Sequence, residues 1–202
     1  MQDCMPQKKR QGFTLLEVMI VLAVIMVLGG LAVPKMATVV NDISLRYVAS
    51  DISGLLQSAR MQSVRTNTPY SILRGALAGG TPIYYIDKAG TTTYTVGDPI
   101  LTLNPNTTVW QGAGSGAPNE TAFLAGLNFT VDPNADAPSF SARGLPCIGS
   151  APCNPILGQG FVMFVSKPGI IGNTPWAAVV VNPSAHIQVW TCDVAGNWIQ
   201  RD

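Results

Sequence analysis

Residues Lys8–Met36 read KKRQGFTLLEVMIVLAVIMVLGGLAVPKM, in which basic residues are followed by one glycine and then by a long apolar run. No side chain is polar in Val18–Val33, and only Thr14 and Glu17 interrupt the apolar residues that precede it. An α-helix needs roughly 20 predominantly apolar residues to cross the hydrocarbon core of a bilayer. The stretch therefore predicts a membrane-crossing helix over residues 13–34.

The charges in front of the apolar run indicate how the chain is oriented in a membrane. Three basic residues at positions 8–10 favour a cytoplasmic N-terminus with the rest of the chain translocated. A secretory signal would be cleaved at small residues after its apolar part, but Gly29 and Gly30 are followed by further apolar residues. Cys4 precedes the run, which excludes a lipoprotein signal. An uncleaved single-pass anchor remains as an alternative.

Glu17 is the unusual residue of this segment. A carboxylate costs about 2.5 kcal/mol or more at the bilayer centre and less toward the interface, so it needs a positive partner. If the chain is cut after Gly12, a new amino group appears at Phe13, four residues from Glu17. That amine can neutralise the carboxylate within one chain or between neighbouring chains. The pair would then set the register of packed helices.

The stretch resembles the leader and first helix of type IV pilins and type II secretion pseudopilins. In that family a prepilin peptidase cleaves after the glycine and methylates the new N-terminal phenylalanine. The resemblance implies a leader at residues 1–12, with Gly12 as the cleavage residue, Phe13 as the methylated N-terminus and Glu17 as the assembly glutamate. Pro34 matches the proline that kinks or melts the family's helix. The implied partners are other pilins or pseudopilins, the prepilin peptidase and an assembly platform in the bacterial inner membrane.

Residues 35–66 predict an amphipathic continuation of the helix, because apolar side chains recur there at helical spacing. The sequence Asn67-Thr68-Pro69 predicts the end of the helix, since proline disfavours helical geometry in the residue before it. We expect this half to pack against a globular head. The predicted apolar stripe comprises Met36, Val40, Ile43, Tyr47, Val48, Ile52, Leu55 and Ala59.

Residues 67–202 predict a β-rich head, because short runs of β-branched and aromatic residues alternate with Gly, Pro, Asn and Ser clusters. Gly112–Glu120 and Pro133–Gly158 are predicted to be long loops. This order of elements predicts an α+β fold in which a long N-terminal helix packs on a small antiparallel sheet, as in pilins. The predicted strands are Tyr70–Leu73, Ile83–Ile86, Thr92–Val96, Ile100–Leu103, Thr107–Trp110, Leu127–Val131, Gly160–Val165, Ala177–Val181 and Ile187–Thr191.

Three segments, one at the end of the helix and the start of the first strand and two in the head, resemble the GspH/FimT group of minor pseudopilins and minor pilins. They are DISGLLQSARMQSVRTNTPYSI (Asp51–Ile72), a phenylalanine followed by ARGLP (Phe140–Pro146) and AAVVVNPSAHIQVWTC (Ala177–Cys192). Ala185 and His186 stand where the group usually has glycine and arginine. The resemblance implies a structural component without catalysis or cofactor. It leaves open whether the filament is a secretion pseudopilus or a type IV pilus.

The cysteines allow several interpretations. Cys147 and Cys153 can close a short loop in an oxidising compartment, which would leave Cys192 without an obvious partner. Any of the three can also be the unpaired one, and free thiols remain an alternative. A zinc site would need His186 as its fourth ligand, but the spacing matches no usual site.

No catalytic constellation stands out in the head. His186 is the single histidine and lies in a predicted turn, and Asp132 and Asp136 are flanked by prolines as in turns. The glycine-rich sequence GAGSG (Gly112–Gly116) lacks the Lys-Ser/Thr of a phosphate loop. The four tryptophans are more typical of strand cores than of binding surfaces. The chain is therefore not predicted to be an enzyme or to hold a metal.

Nucleic-acid binding is not expected from the charge. Of the net charge of +1, the first twelve residues contribute +2, so the rest of the chain carries −1. The C-terminal tail has only Arg201, beside Asp202, whereas phosphate contact chiefly needs Lys and Arg. Two rival hypotheses remain: a minor pilin whose head binds a ligand directly, in DNA uptake or adhesion, and a simple anchor for an unrelated head.

Overall fold

The structure is a computed structural model that describes residues 14–104, 106–132, 138–148, 153–155, 158–168 and 174–201. Of residues 31–35, 37–38, 148 and 154–155 it describes the backbone alone. The predicted leader and Phe13 therefore lie outside the described residues. Contacts divide the chain into two compact units, Met1–Ala37 and Thr38–Asp202.

Helix α1 spans Leu15–Thr66, and residue 34 lies within it. The predicted end is confirmed, since Asn67 adopts a left-handed conformation with φ 52°. The N–H of Thr68 donates to the carbonyl of Ser63 at 3.2 Å, and the N–H of Asn67 donates to that of Val64 at 3.4 Å. This is a Schellman motif, which satisfies carbonyls that the last helical turn leaves without partners.

In the first unit, the described side chains of residues 14–30 are exposed. The sequence predicts a membrane-crossing segment at residues 13–34. Among the residues that the structure describes, no helix is both long enough and apolar enough to cross a membrane.

The buried face of α1 differs from the predicted apolar stripe. Ile52, Leu55 and Ala59 are buried as expected, but Val40, Ile43 and Tyr47 are exposed, and so is Met36 in the first unit. The predicted stripe combined two apolar series, each with steps of three and four residues but set about two residues apart. Helical spacing alone does not choose between such faces, and the head packs against the one with small residues. The buried apolar face consists of Leu45, Ala49, Ile52, Leu55, Leu56 and Ala59.

The head contains two sheets rather than the single predicted one. The first has the order β3-β2-β1-β6-β7-β8, and its neighbouring strands pair antiparallel. The second has the order β12-β11-β10-β9-β4, with β5 added parallel to β9. The strands are β1 Tyr70–Ala76, β2 Pro82–Asp87, β3 Ile100–Thr102, β4 Thr108–Gln111, β5 Thr130–Val131, β6 Ser139–Phe140, β7 Pro146–Ile148, β8 Asn154–Pro155, β9 Gln159–Ser166, β10 Trp176–Val181, β11 Ile187–Cys192 and β12 Trp198–Arg201.

Strand β9 shows how the second sheet is buried on both faces. Its side chains alternate, so that Phe161 and Met163 pack in the cluster that contains the buried face of α1. Val162 and Phe164 pack in a second cluster, which contains Phe123. Phe123 is the buried residue of a short helix, α2, which spans Glu120–Gly126. The head thus has one apolar layer on each side of this sheet.

The prediction of a strand at Thr92–Val96 is wrong, because these residues form no strand in the structure. Asp87, at the end of β2, is buried and accepts backbone N–H groups from Gly90, Thr91 and Thr92. Thr92 itself has a φ of 59°, outside the β region. The β-branched sequence favoured a strand, but the aspartate removes the N–H groups that a sheet would need.

Short elements account for the other differences. The strand predicted at Leu127–Val131 is reduced to β5, because its first residue caps α2. The loop predicted at Pro133–Gly158 contains β6, β7 and β8, while α2 and β12 were not predicted at all. All of these are only two to seven residues long, which is too short for a repeating apolar pattern to be recognised.

Candidate functional site

The predicted assembly residue Glu17 lies in the first turn of α1. Its backbone N–H donates to the hydroxyl Oγ1 of Thr14 at 3.2 Å and to the carbonyl of Thr14 at 3.1 Å. Thr14 is therefore the N-cap of the helix, and Glu17 is the third residue after it. The sequence T-x-x-E is the capping-box pattern, in which a threonine satisfies a free N–H of the first turn. Sequence reasoning missed this role of Thr14, although the pattern was available.

The carboxylate of Glu17 has no hydrogen bond or ion pair to any residue that the structure describes, and the side chain is exposed. A negative group in the first turn is favoured by the positive end of the helix dipole. The position thus suits a carboxylate in the isolated helix and leaves its oxygens available to an outside donor.

Gly12 and Phe13 lie outside the described residues, and Pro34 is described by its backbone alone. The helix assignment continues through position 34. Proline has no N–H, so this position lacks one backbone hydrogen bond of the helix. Whether that produces a bend or local melting stays a prediction.

Cys147 and Cys153 form a disulfide, with Cα atoms 5.4 Å apart. Cys147 lies on β7 and is buried, and Cys153 directly precedes β8, which pairs with β7. Antiparallel pairing of β7 and β8 brings the two residues within bonding distance. The bond closes the hairpin between these strands.

Cys192 is a free thiol at the end of β11 and is half-buried. Burial, and then the neighbouring carboxylate of Asp193, raise the pKa of this thiol above its ordinary value. A raised pKa keeps the group protonated and poorly nucleophilic at neutral pH. Cys192 therefore lacks the features of a catalytic nucleophile.

The glycine-rich loop at Gly112–Gly116 encloses a carboxylate of its own chain. Oε1 of Glu120 accepts the N–H groups of Gly114 and Ser115, and Oε2 accepts the Gly116 N–H at 3.0 Å. Gly114 and Gly116 have φ values of 92° and 77°, which favour glycine. Burial opposes ionisation of Glu120, but these hydrogen bonds outweigh it and lower the pKa. The N–H groups that resembled an anion site are already occupied.

His186 lies in the turn between β10 and β11, as predicted. The backbone N–H of His186 donates to Oδ1 of Asn182 at 2.9 Å, and its backbone carbonyl accepts the backbone N–H of Asn182 at 3.0 Å. Ala185, at the position where the resembled group usually has glycine, adopts φ 62° and is buried. A left-handed conformation explains the usual glycine, because a side chain there is strained.

The ARGLP segment forms a turn against α1. The N–H of Ser141 donates to the carbonyl of Leu145 at 2.8 Å, and Gly144 has φ 74°. A Cβ at Gly144 would lie 2.7 Å from Cγ2 of Val64 on α1. Glycine is therefore needed for the conformation and for the close approach of the turn to the helix.

The tryptophans belong to the second apolar cluster rather than to an exposed platform. Trp198 stacks on Phe123 with ring centroids 4.5 Å apart, and Trp110 stacks on Trp176 at 5.1 Å. Asp132 is buried, while Asp136 lies outside the described residues. In the described part of the chain, no three His, Cys, Asp or Glu side chains are grouped as a metal site needs.

Comparison with known proteins supports the interpretation of the N-terminus. A family model described as the prokaryotic N-terminal methylation motif matches residues 7–33. This motif is the type IV pilin-like prepilin signal, and the match supports a pilin-like protein processed by a prepilin peptidase. No curated protein and no solved structure matches the chain.

Proposed function

We propose that the chain is a minor pilin or pseudopilin of the GspH/FimT kind. It is cleaved after Gly12, methylated on Phe13 and assembled into a type II secretion pseudopilus or a type IV pilus. The observation that carries the proposal is the methylation motif, which covers both of these residues and Glu17. Its role is structural and non-catalytic, and its partners are the prepilin peptidase, the assembly platform and the other filament subunits.

The exposed apolar residues of α1 support membrane anchoring before assembly. Leu15 and Leu16 are 79% and 68% exposed, and large apolar side chains continue exposed to Leu28. Removing such surface from water is favourable, whether lipid or other apolar helices cover it. The protein is therefore held in the bacterial inner membrane by residues 13–34, with its N-terminus cytoplasmic and its head periplasmic. From there it passes into the filament.

The geometry at Glu17 supports a contact that forms only after cleavage. Its carboxylate has no partner among the described residues, and the amine released at Phe13 lies four positions before it. An amine and a carboxylate in an apolar environment attract each other more strongly than in water. Docking of one chain's amine on a neighbour's Glu17 would then align the two helices.

The head supports the GspH/FimT assignment through the physical roles of its resembling segments. Gly144 of ARGLP permits the close approach of a turn to α1. The segment Ala177–Cys192 forms the β10–β11 hairpin, whose turn contains the left-handed residue Ala185. Gly144, which matches the group, and Ala185, which replaces its usual glycine, thus both occupy positions where the backbone restricts the choice of residue.

The experiment that tests this function follows processing of the chain co-expressed with a prepilin peptidase. The wild-type chain should lose residues 1–12 and gain one methyl group, seen as faster electrophoretic migration and by intact mass. Gly12→Val should leave the precursor uncleaved. Gly29→Val adds the same side chain where nothing lies within 4 Å, and it should be cleaved normally. Normal trimming of Gly12→Val would contradict the proposed cleavage site.

A further inference from the structure

A long groove runs between helix α1 and the hairpin of β11 and β12. It consists of three cavities of about 490, 600 and 550 Å³, which we call the first, second and third cavity. Their α1 lining extends from Asp42 to Arg65, which is roughly 35 Å along the helix axis at 1.5 Å per residue. The groove lies entirely within the second unit of the chain.

The three cavities adjoin, because neighbouring cavities share lining residues. The first and second share Arg46 from one wall and Thr191 and Arg201 from the other. The second and third share Gln57, His186 and Ile187. An extended chain could therefore pass through all three without leaving the groove.

Arginines outnumber acidic side chains in the groove, and the excess lies in the second and third cavities, since the first is lined by two of each. Four arginines line it, and the described residues that line the second and third cavities include no acidic side chain. The acidic residues of the first cavity are Asp42 and Asp193. The carboxylate of Asp193 already accepts hydrogen bonds within its own turn, from the backbone N–H groups of Ala195 and Asn197. The arginines are Arg46, Arg60, Arg65 and Arg201.

Two of these guanidinium groups are held in place by hydrogen bonds to neutral acceptors, so that no described carboxylate offsets their charge. Nε of Arg201 donates to Oγ1 of Thr191 at 3.0 Å, and Thr191 is buried. Nη1 of Arg60 donates to the carbonyl of Ala185 at 2.9 Å. Arg46 has no hydrogen bond or ion pair to a described residue, and no described carboxylate pairs with Arg201. Guanidinium groups in this state can still bind a carboxylate through two parallel hydrogen bonds.

The remaining lining suits a peptide. Ile187 and Val189 of β11 are half-buried and line the second cavity, while Ser50, Ser53 and Gln57 line it from α1. Hydroxyl and amide groups can bond the N–H and C=O groups of a peptide backbone. The half-buried apolar residues can accommodate its side chains.

We infer that this groove binds an extended acidic peptide segment of another protein. At about 3.3 Å per residue, a groove of roughly 35 Å accommodates about ten extended residues. Charge complementarity selects carboxylates, because the groove offers arginines without acidic partners in the described part of the chain. A nucleic acid is a poorer match, since no Phe, Tyr or Trp is among the described residues that line the second and third cavities, so its bases would find none of these aromatic rings there to stack on. The binding goes beyond the proposed function and needs no filament, so a chain unable to assemble should retain it.

The experiment measures binding of a fluorescent deca-glutamate peptide to the full chain in detergent micelles by fluorescence anisotropy. The wild-type chain should bind it, with an affinity that falls as salt is added. Arg46→Gln combined with Arg201→Gln should weaken binding about tenfold, the effect of losing two partly exposed ion pairs. Both substitutions lie on the surface, and an unchanged near-UV circular dichroism spectrum verifies the fold.

A matched control removes two positive charges outside the groove. Arg74→Gln combined with Lys88→Gln should bind deca-glutamate as the wild type does, since neither residue lines the three cavities. If both double variants weakened binding equally, the peptide would be responding to the net charge of the protein and not to the groove, and the inference would be overturned. Equal binding of a deca-glutamine peptide would do the same. Tighter binding of a ten-nucleotide oligothymidine would make the groove a nucleic-acid site instead.

Discussion

The backbone N–H of Glu17 donates to the hydroxyl of Thr14 at 3.2 Å, so that the residue before α1 holds the residue proposed to act in assembly. The bond secures the first turn of the helix while the Glu17 carboxylate projects without a described partner. Cap and carboxylate therefore have separable roles, which two substitutions can distinguish.

Thr14→Ala should loosen the first turn of α1. Loss of a threonine cap costs about 1 kcal/mol of helix stability. Hydrogen exchange in micelles should accelerate at the amide of Glu17, which loses its bond to the Thr14 hydroxyl, and at that of Val18, whose bond to the Thr14 carbonyl opens as the turn loosens. Thr14→Ser keeps the hydroxyl and should exchange as the wild type does. Unchanged protection in Thr14→Ala would mean that the cap contributes nothing to the helix.

Glu17→Gln should block incorporation into filaments while keeping the Thr14 cap, because the bond to Thr14 comes from the backbone N–H of residue 17. The amide keeps the length of the side chain but removes the charge that the Phe13 amine would bind. Filaments sheared from cells should lack the variant, while the membrane fraction should contain it in cleaved form. Glu17→Asp keeps the charge and should restore part of the incorporation. Incorporation of Glu17→Gln at the wild-type level would contradict the proposed pairing.

Glu120 should make the head sensitive to acid. Burial opposes its ionisation, but the N–H groups of Gly114, Ser115 and Gly116 keep its pKa below the ordinary value of 4.5. A group with a lowered folded pKa stabilises the fold above its unfolded pKa, and this stability is lost as pH falls through the folded pKa. As the pH is lowered from 7, the thermal unfolding midpoint should fall less in Glu120→Gln than in the wild type. Asp51→Asn, at an exposed residue, should keep the wild-type profile.

Asp87→Asn should destabilise the loop after β2. Oδ1 of Asp87 accepts the Gly90 N–H at 2.8 Å and that of Thr91 at 3.2 Å, and Oδ2 accepts the Thr92 N–H at 2.9 Å. Asparagine keeps one acceptor oxygen and turns a donor toward the remaining N–H groups. A loss of about 1–3 kcal/mol is expected in the free energy of unfolding, measured with denaturant. Asp51→Asn serves again as the control, and an equal midpoint for both variants would disprove the role of Asp87.

Removal of the disulfide should weaken the hairpin of β7 and β8. Cys147 and Cys153 are six positions apart, and closure of so short a loop contributes about 2 kcal/mol in the chain-entropy model. Cys147→Ser combined with Cys153→Ser should lower the unfolding midpoint, and a reductant should lower it to a similar extent in the wild type. Cys192→Ser leaves the disulfide intact and should respond to reductant as the wild type does. A wild-type midpoint that reductant leaves unchanged would contradict a stabilising bond.

Local chemistry explains which parts of the fold the sequence could predict. Asn67-Thr68-Pro69 predicts the end of α1, because proline disfavours helical geometry in the residue before it. Strands β9, β10 and β11 are long and rich in β-branched or aromatic residues, and each was predicted close to its observed bounds. The incorrect prediction of a strand at Thr92–Val96 has one cause. A single buried carboxylate, Asp87, outweighs the β propensity of the residues that follow it.

The sequence by itself determined the processing signal, since basic residues, Gly12, Phe13, Glu17 and an apolar run are adjacent in the chain and need no folding to be recognised. It also determined that an N-terminal helix is followed by strands. Only the tertiary structure decided which face of α1 is buried, because two apolar faces have the same period and the sheets pack against one. It alone brought Arg46 and Arg201 to opposite walls of one groove. Residues 155 positions apart become neighbours only when α1 packs beside β12, and local sequence carries no record of such long-range packing.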